Sequence, residues 1–248
     1  MRILLTLFLL YSGALQADAA FDSQASVATW ITHYYRNPEP SKVPAAIRSM
    51  SEFGMLDNNA GLPPVFGFLA GVFRDNPDQV SGWLEETRDL AESHIGVVVL
   101  GLWYADLPNS QAQSYAILDQ HPDLKQEFSF LLTGSPMSVD EIPLEQGPWV
   151  LDALWGNFMA TGSEVPVLRI AEALPWLDVK GDIGRLVVGG AARWSLTSNA
   201  VQHPRVLQIC EQSVGGQPTE VAARLREVIA SAKAELEGAH AKQSEPTP

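Results

Sequence analysis

Three acidic side chains are the residues best suited to catalytic chemistry. Asp140 and Glu145 lie in a proline-containing stretch, residues 134–147, and Asp152 follows shortly after it. Glycoside hydrolysis needs only two carboxyl groups held across a cleft, and such a pair leaves little trace in a sequence. The seven tryptophans could stack on sugar rings. An envelope hydrolase that acts on glycan or peptide through paired carboxylates is therefore one alternative function.

Signatures of other catalytic chemistry are missing from the sequence. The five histidines are isolated, no His-Glu-x-x-His occurs, and the single cysteine, Cys210, cannot form a Cys-x-x-Cys motif. No Gly-x-Ser-x-Gly elbow is present, and the glycines match no phosphate-binding pattern. The sequence thus indicates no metal and no cofactor, and Cys210 is expected to be a buried, inert thiol.

Asp152 also has a structural interpretation, because it falls within a helical segment that is otherwise apolar nearly all round. A buried carboxylate is costly unless a donor pairs with it. We therefore predict a structural ion pair between Asp152 and an arginine. Arg193 is the predicted partner, and Arg169 and Arg185 are the other arginines considered.

Five aromatic residues are candidates for a binding surface. Each lies near the end of an apolar segment and next to a predicted turn, where side chains can reach the rim of a helical hairpin. They are Tyr34, Tyr35, Trp103, Tyr104 and Trp194.

The elements that must carry these residues are helices. The sequence shows no sustained alternation of apolar and polar residues, and no Asn-Gly or Asp-Gly turn between β-branched runs. Apolar residues between Val221 and Leu236 instead recur every three or four positions, which places them on one face of a helix. Gly238 is predicted to end this helix. The fold class is therefore all-α.

Similar helix–turn–helix segments recur along the chain, and their turn markers are 39, 33, 53 and 37 residues apart. Most of these intervals match the two-helix unit of HEAT-like or tetratricopeptide arrays, about 34 to 47 residues. We predict helical-hairpin repeats, an α-solenoid, with an irregular α-bundle as the alternative. The longest interval implies an insertion that contains a short helix within 122–133 and the loop 134–147, a candidate for function. The markers are Asn37, Asn76, Asn109, Gly162 and Asn199.

Both ends of the chain are predicted to lie outside the folded domain. Residues 1–19 combine one basic residue, a short apolar run and Ala17-Asp18-Ala19, a pattern typical of a secretory signal peptide. Residues 20–237 then form a single all-α domain, and the polar residues 238–248 form a disordered tail. The mature protein is expected to be exported and periplasmic or extracellular.

The charge balance limits the classes of partner. Sixteen basic and 29 acidic residues give a net charge of −13, so the average surface repels a phosphate backbone. Nucleic acid is therefore not an expected partner. The best internal apolar run, residues 95–105, is far shorter than the roughly 20 residues that cross a bilayer. No transmembrane segment is expected in the mature chain.

One segment resembles a known group of proteins. Residues 151–162, Leu-Asp-Ala-Leu-Trp-Gly-Asn-Phe-Met-Ala-Thr-Gly, together with residues 30–38, are similar to bacterial exported or hypothetical proteins with an L-D-x-L-W-G-x-F-x-A-T-G segment. The resemblance covers about half of the chain. It implies a helical fold and a bacterial origin, and no functional residue can be transferred from it because that group has no established activity.

These observations favour a binding role over catalysis. Export, helical hairpins and the lack of a catalytic motif predict a non-enzymatic binding or scaffold protein of the bacterial cell envelope. Its expected partner is another protein or an envelope component.

Overall fold

The computed structural model describes residues 21–243, with side chains through residue 239. The predicted signal peptide, residues 1–19, lies outside this range. The described part contains α-helices, short 3-10 turns and no strand, which confirms the all-α prediction. Its α-helices are α1 (Gln24–His33), α2 (Val43–Glu52), α3 (Leu62–Asp75), α4 (Pro77–Glu86), α5 (Glu92–Tyr104), α6 (Ser110–Leu118), α7 (Pro122–Glu127), α8 (Trp149–Thr161), α9 (Glu164–Ala171), α10 (Ile183–Gln202), α11 (Pro204–Ser213) and α12 (Thr219–Gln243).

Prolines and capping residues fix where many helices begin and end. Helices α4, α7 and α11 each start with a proline, whose fixed backbone angle suits the first turn and whose missing N–H is not needed there. Gly162 ends α8 in the left-handed conformation, with φ at 62°. The Ser163 side chain then accepts a hydrogen bond from the Val165 backbone N–H at the start of α9. These turns produce the predicted hairpins.

Helices α3 and α8 form the centre of the molecule and make its most extensive helix–helix contact. Their backbones touch at two glycines: a Cβ on Gly67 would lie 2.0 Å from the Ala153 carbonyl oxygen, and one on Gly156 equally close to that of Pro64. Helices α4 to α7 lie between the two in sequence. A linear solenoid packs each hairpin on its sequence neighbours, so this central pair is an arrangement typical of a bundle.

The remaining helices surround this pair. Helix α5 packs on α3, where Gly101 allows the Leu69 side chain to approach closely. Trp103 joins a smaller apolar cluster formed with residues of α6 and α7. Helix α10 packs against α12, α11, α9 and the 3-10 turn Leu174–Asp178. Helix α10 therefore lies at the outer side of the C-terminal half.

The predicted insertion is present and is built into the core. Helix α7 and the 3-10 turn Ser129–Thr133 occupy the expected position. The following stretch, 134–147, contains two more 3-10 turns, and its apolar side chains Val139, Ile142 and Leu144 are buried. This segment is thus a packed connection.

Two predicted helix ends are wrong. Asn199 lies inside α10, which continues to Gln202 because His203 precedes Pro204 and cannot remain helical at low cost. Helix α12 continues through Gly238 to Gln243, so part of the predicted tail 238–248 is helical. A single glycine costs a helix only about 1 kcal/mol, and the alanines and lysine that follow favour helix.

Candidate functional site: the exposed face of helix α10

Local sequence makes α10 a long and well-defined helix. The Asp182 side chain caps its start by accepting a hydrogen bond from the Arg185 backbone N–H, 3.0 Å away. Gly181, with φ at 84°, provides the left-handed turn before the cap. The helix then runs for 20 residues without interruption.

One face of α10 is part of the core. Val188, Ala192, Leu196 and Ala200 are buried, and they recur every four residues as a core-facing helix requires. Gly189 lies on the same side, where an added Cβ would come within 2.8 Å of the Leu177 backbone nitrogen. This face therefore needs no further partner.

The opposite face of α10 is also apolar, and it is exposed. Relative exposure is 78% for Ile183, 44% for Leu186, 51% for Val187 and 73% for Trp194. With Gly190 these residues occupy positions i, i+3, i+4, i+7 and i+11, so they form one line along the helix. We call these five residues the α10 stripe.

A groove between α10 and α12 adjoins the C-terminal end of the stripe. Its volume is about 490 Å³, and Trp194 lies at its wall. Arg193 lines it from α10, and Glu227 and Glu235 line it from α12. Glu227 also binds Arg224, 2.8 Å away. The groove thus combines an exposed indole with two carboxylates.

The aromatic residues predicted as a binding surface do not form one. Tyr34 and Trp103 are buried in apolar clusters, so the prediction is wrong for these two. Tyr35 and Tyr104 are half-buried; Tyr35 packs on Phe158, and Tyr104 packs against other core residues. Trp194 alone among the five is exposed. An aromatic residue near a helix end usually serves packing, because each hairpin must bury its apolar side.

The predicted ion pair between Asp152 and Arg193 is wrong. Asp152 is an exposed residue and no basic nitrogen of the described residues lies within 4.0 Å of its carboxylate. Its first-turn position on α8 points it to the surface although the rest of the helix is buried. Neighbouring side chains still desolvate the carboxyl group, which raises its pKa. Arg185 binds Glu145 and Arg169 binds the Asp140 carbonyl oxygen instead.

The other two candidate carboxylates are held by guanidinium groups. Asp140, whose side chain is 16% exposed, has its Oδ2 atom 3.6 Å from Arg74 Nη1. Glu145 Oε1 lies 3.0 Å from Arg185 Nη2. Each carboxylate therefore pairs with a different arginine, an arrangement that supports structure.

A cluster of polar side chains, Tyr35, Arg36 and His203, lies beside Phe158 of α8. The Tyr35 hydroxyl accepts a hydrogen bond from Arg36 Nε at 3.1 Å and lies 3.3 Å from His203 Nδ1. Burial, followed by the charges of Arg36 and His33, lowers the pKa of His203 to about 4. His203 is therefore neutral near pH 7, and its Nδ1 can accept a hydrogen bond from the Tyr35 hydroxyl.

Metal and membrane sites are not found in the part of the chain that the structure describes. There, no three His, Cys, Asp or Glu side chains are grouped so as to hold a metal ion. Between residues 21 and 243, no helix is both long enough and apolar enough to cross a membrane.

Sequence reasoning missed three residues of the stripe: Ile183, Leu186 and Val187. Their spacing is visible in the sequence, but α10 carries apolar residues on two opposite faces. Periodicity alone does not tell which of the two faces the core.

Known proteins add nothing to this geometry. No family model matches the chain, and neither a curated protein nor a solved structure does.

Proposed function

We propose that this protein is an exported, non-enzymatic binding protein of the bacterial cell envelope, and that it binds an amphipathic helix of a protein partner through the α10 stripe. The observation that carries the proposal is the second apolar face of α10. Four of its large side chains face solvent on a helix whose opposite face already fills the core.

The physical reason is the cost of leaving such a surface in water. The largest exposed apolar patch of a monomeric protein, typically about 300–600 Å², is often a functional surface. Trp194 strengthens this argument, because tryptophan is enriched among residues that dominate binding energy. A partner that covers the stripe removes these side chains from water.

The shape of the stripe indicates the kind of partner. Residues 183 to 194 span eleven helical steps, about 16 Å, in a nearly straight line. Such a line of i, i+3, i+4 and i+7 contacts is how helices recognise one another. Glu227 and Glu235 beside Trp194 favour a partner helix that carries basic residues next to its apolar face.

The arrangement of the carboxylates supports a binding role over hydrolysis. Asp140 and Glu145 each pair with an arginine, and Asp152 lies on the surface of α8. No observation favours the hydrolase alternative.

Site-specific photo-crosslinking in bacterial cells that express the full chain tests the proposal. A photoreactive amino acid replaces Val187 in the stripe, and in a control it replaces Phe130, which is equally exposed but lies after α7. We expect one discrete protein adduct from position 187, its loss when Trp194→Glu is added, and no such adduct from position 130. Equal adducts from both positions, or none, would contradict the proposal.

Fractionation of the same cells tests the location. We expect the protein in the envelope or periplasmic fraction with Ala20 as its first residue. Retention of residues 1–19 in the cytoplasm would refute export without affecting the crosslinking result.

A further inference from the structure

We infer that the helix bound by the α10 stripe is α10 of a second copy of this chain, so that two stripes pack antiparallel about a two-fold axis at Gly190. This inference rests on the proposed function, because it names the occupant of the same surface. Three features of α10 carry it: an unexplained glycine, a symmetric arrangement of residues, and complementary charges.

The glycine is Gly190, at the middle of the stripe. Glycine within a helix costs about 1 kcal/mol relative to alanine, and a close approach of two backbones is one reason to keep it. Gly189 next to it has such a reason inside the molecule, because the backbone of Leu177 lies against it. A Cβ on Gly190 would meet nothing within 4 Å. Gly82 and Gly238 are equally open helical glycines, but Gly190 lies at the middle of a line of exposed apolar side chains, where a second helix can approach closely.

Similar crossings already occur in this chain. Helices α3 and α8 touch through Gly67 and Gly156, with backbone atoms in direct contact. At Gly190 the same kind of contact can form only with another molecule, because the stripe faces outward. Closed two-copy assemblies place identical surface patches against each other, so a glycine on the axis would face its own copy.

The stripe is self-complementary about Gly190. Antiparallel pairing brings residues equally far before and after the axis together. Leu186 lies four residues before Gly190 and Trp194 four residues after it, so each indole packs on a leucine of the second copy. Ile183 meets Thr197, and Val187 meets the aliphatic stem of Arg193.

Charges fit the same pairing. Lys180 lies exposed just before α10, and within Ile183–Gln202 the charged residues are Arg185, which pairs with Glu145 and Asp182, and Arg193. Antiparallel packing brings Lys180 toward the groove beside Trp194 of the second copy, which Glu235 lines together with Arg193 and the Arg224-bound Glu227. Complementary charges at these ends set the antiparallel direction, even though each chain carries a net charge of −13.

Sedimentation equilibrium of the purified mature chain measures the association. We expect a reversible dimer in the micromolar range, and at least about 30-fold weaker association for Leu186→Glu or Trp194→Glu, since central interface residues dominate binding. Phe130→Glu removes an equally exposed apolar side chain elsewhere and is expected to leave association unchanged. A wild-type protein that stays monomeric throughout would overturn the inference.

Gly190→Ala tests whether Gly190 is needed for a close helix crossing or is only an exposed glycine. Alanine favours the helix and has room in the monomer, so the variant should melt at a higher temperature when monomeric and yet dimerise more weakly. Gly82→Ala is the matched control, because Gly82 is an exposed helical glycine of α4 with nothing within 4 Å. It should gain the same stability and keep wild-type association. Unchanged association of Gly190→Ala would contradict a close helix crossing.

Gly190→Cys tests the geometry of the axis. Two helices that touch at this position bring their Cα atoms within the 4.4–6.8 Å that a disulfide spans. With oxidised glutathione we expect a covalent dimer from Gly190→Cys and none from Gly82→Cys. The native Cys210 does not interfere, because it is buried, and burial raises its pKa to about 12.

The two proposals fail in different ways. The mass of the adduct formed at position 187 distinguishes them, since a second copy gives twice the mass of the mature chain. An adduct with a different protein, together with a monomer in sedimentation, refutes the dimer and retains the binding function. No adduct together with a monomer refutes both.

Discussion

At the scale of single residues, His203 is a histidine kept neutral inside the fold. Its ring is buried between Tyr35 and Phe158, and its Nδ1 lies 3.3 Å from the tyrosine hydroxyl. Burial and the nearby Arg36 and His33 lower its pKa from 6.5 to about 4. In the unfolded chain the same group has an ordinary pKa.

This difference predicts a pH dependence of stability. Between pH 6.5 and about 4 the unfolded chain binds a proton that the folded chain does not, so the free energy of unfolding falls as the pH falls. Above pH 6.5 this contribution is constant. His203→Asn keeps an acceptor for Tyr35 and should flatten that slope, as measured by urea unfolding at several pH values. His121→Asn, at the start of α7 and outside the Tyr35 cluster, is the control, and an unchanged slope in His203→Asn would contradict the assignment.

Arg74 is the second residue whose role can be tested. It lies 3.6 Å from the Asp140 carboxylate, and it donates a hydrogen bond to Asn157 Oδ1 at 3.2 Å. Arg74→Met leaves a mostly buried carboxylate without its partner, so we expect a loss of about 2 kcal/mol in urea unfolding. Adding Asp140→Asn should recover part of this loss.

A surface pair provides the comparison for Arg74. Arg88 binds Glu85 at 2.5 Å, but both side chains are exposed. Arg88→Met should therefore cost less than about 1 kcal/mol. If both variants lost the same free energy of unfolding, solvent would screen the Arg74–Asp140 ion pair as strongly as it screens the surface pair.

At the scale of elements, the crossing of α3 and α8 holds the centre together. Gly156 touches the backbone of α3 at Pro64 and Phe68, which cannot move away without displacing the helix. Gly156→Ala should therefore destabilise the protein by about 3 kcal/mol or more, measured by thermal or urea unfolding. Gly82→Ala should instead stabilise it by about 1 kcal/mol. A neutral Gly156→Ala would mean that α3 and α8 do not touch there.

The same crossing explains the composition of the segment 151–162. Gly156 and Ala160 face α3, and Gly162 ends α8 in the left-handed conformation. Trp155 and Phe158 pack against each other at 90° beside them. The small and aromatic residues of the segment are thus explained by packing and by the helix end.

At the scale of the whole molecule, the net charge of −13 determines which large partners can approach. We predict that the protein binds double-stranded DNA more weakly than about 10⁻⁴ M at low salt, where non-specific binders are usually tighter. Fluorescence anisotropy with a labelled duplex measures this. Binding that weakens with added salt would reveal a basic surface that the average charge conceals.

The sequence by itself determined the fold class, the turns at Asn76 and Gly162, the inert Cys210 and the apolar character of α8. These follow from local rules, because caps, prolines and helical periodicity act over a few residues. Its N-terminal pattern also supports the prediction of export, which concerns residues outside the described range.

Only the tertiary structure decided which apolar faces are covered. The sequence pattern predicts a buried Asp152 and an exposed Tyr34, and the structure shows the reverse. Periodicity shows which residues share a helix face, but not whether that face meets the core or solvent. Helix α10 has two apolar faces, and the core covers only the one with Val188. Burial depends on contacts between residues far apart in sequence, so the exposed α10 stripe became visible only when the helices were packed.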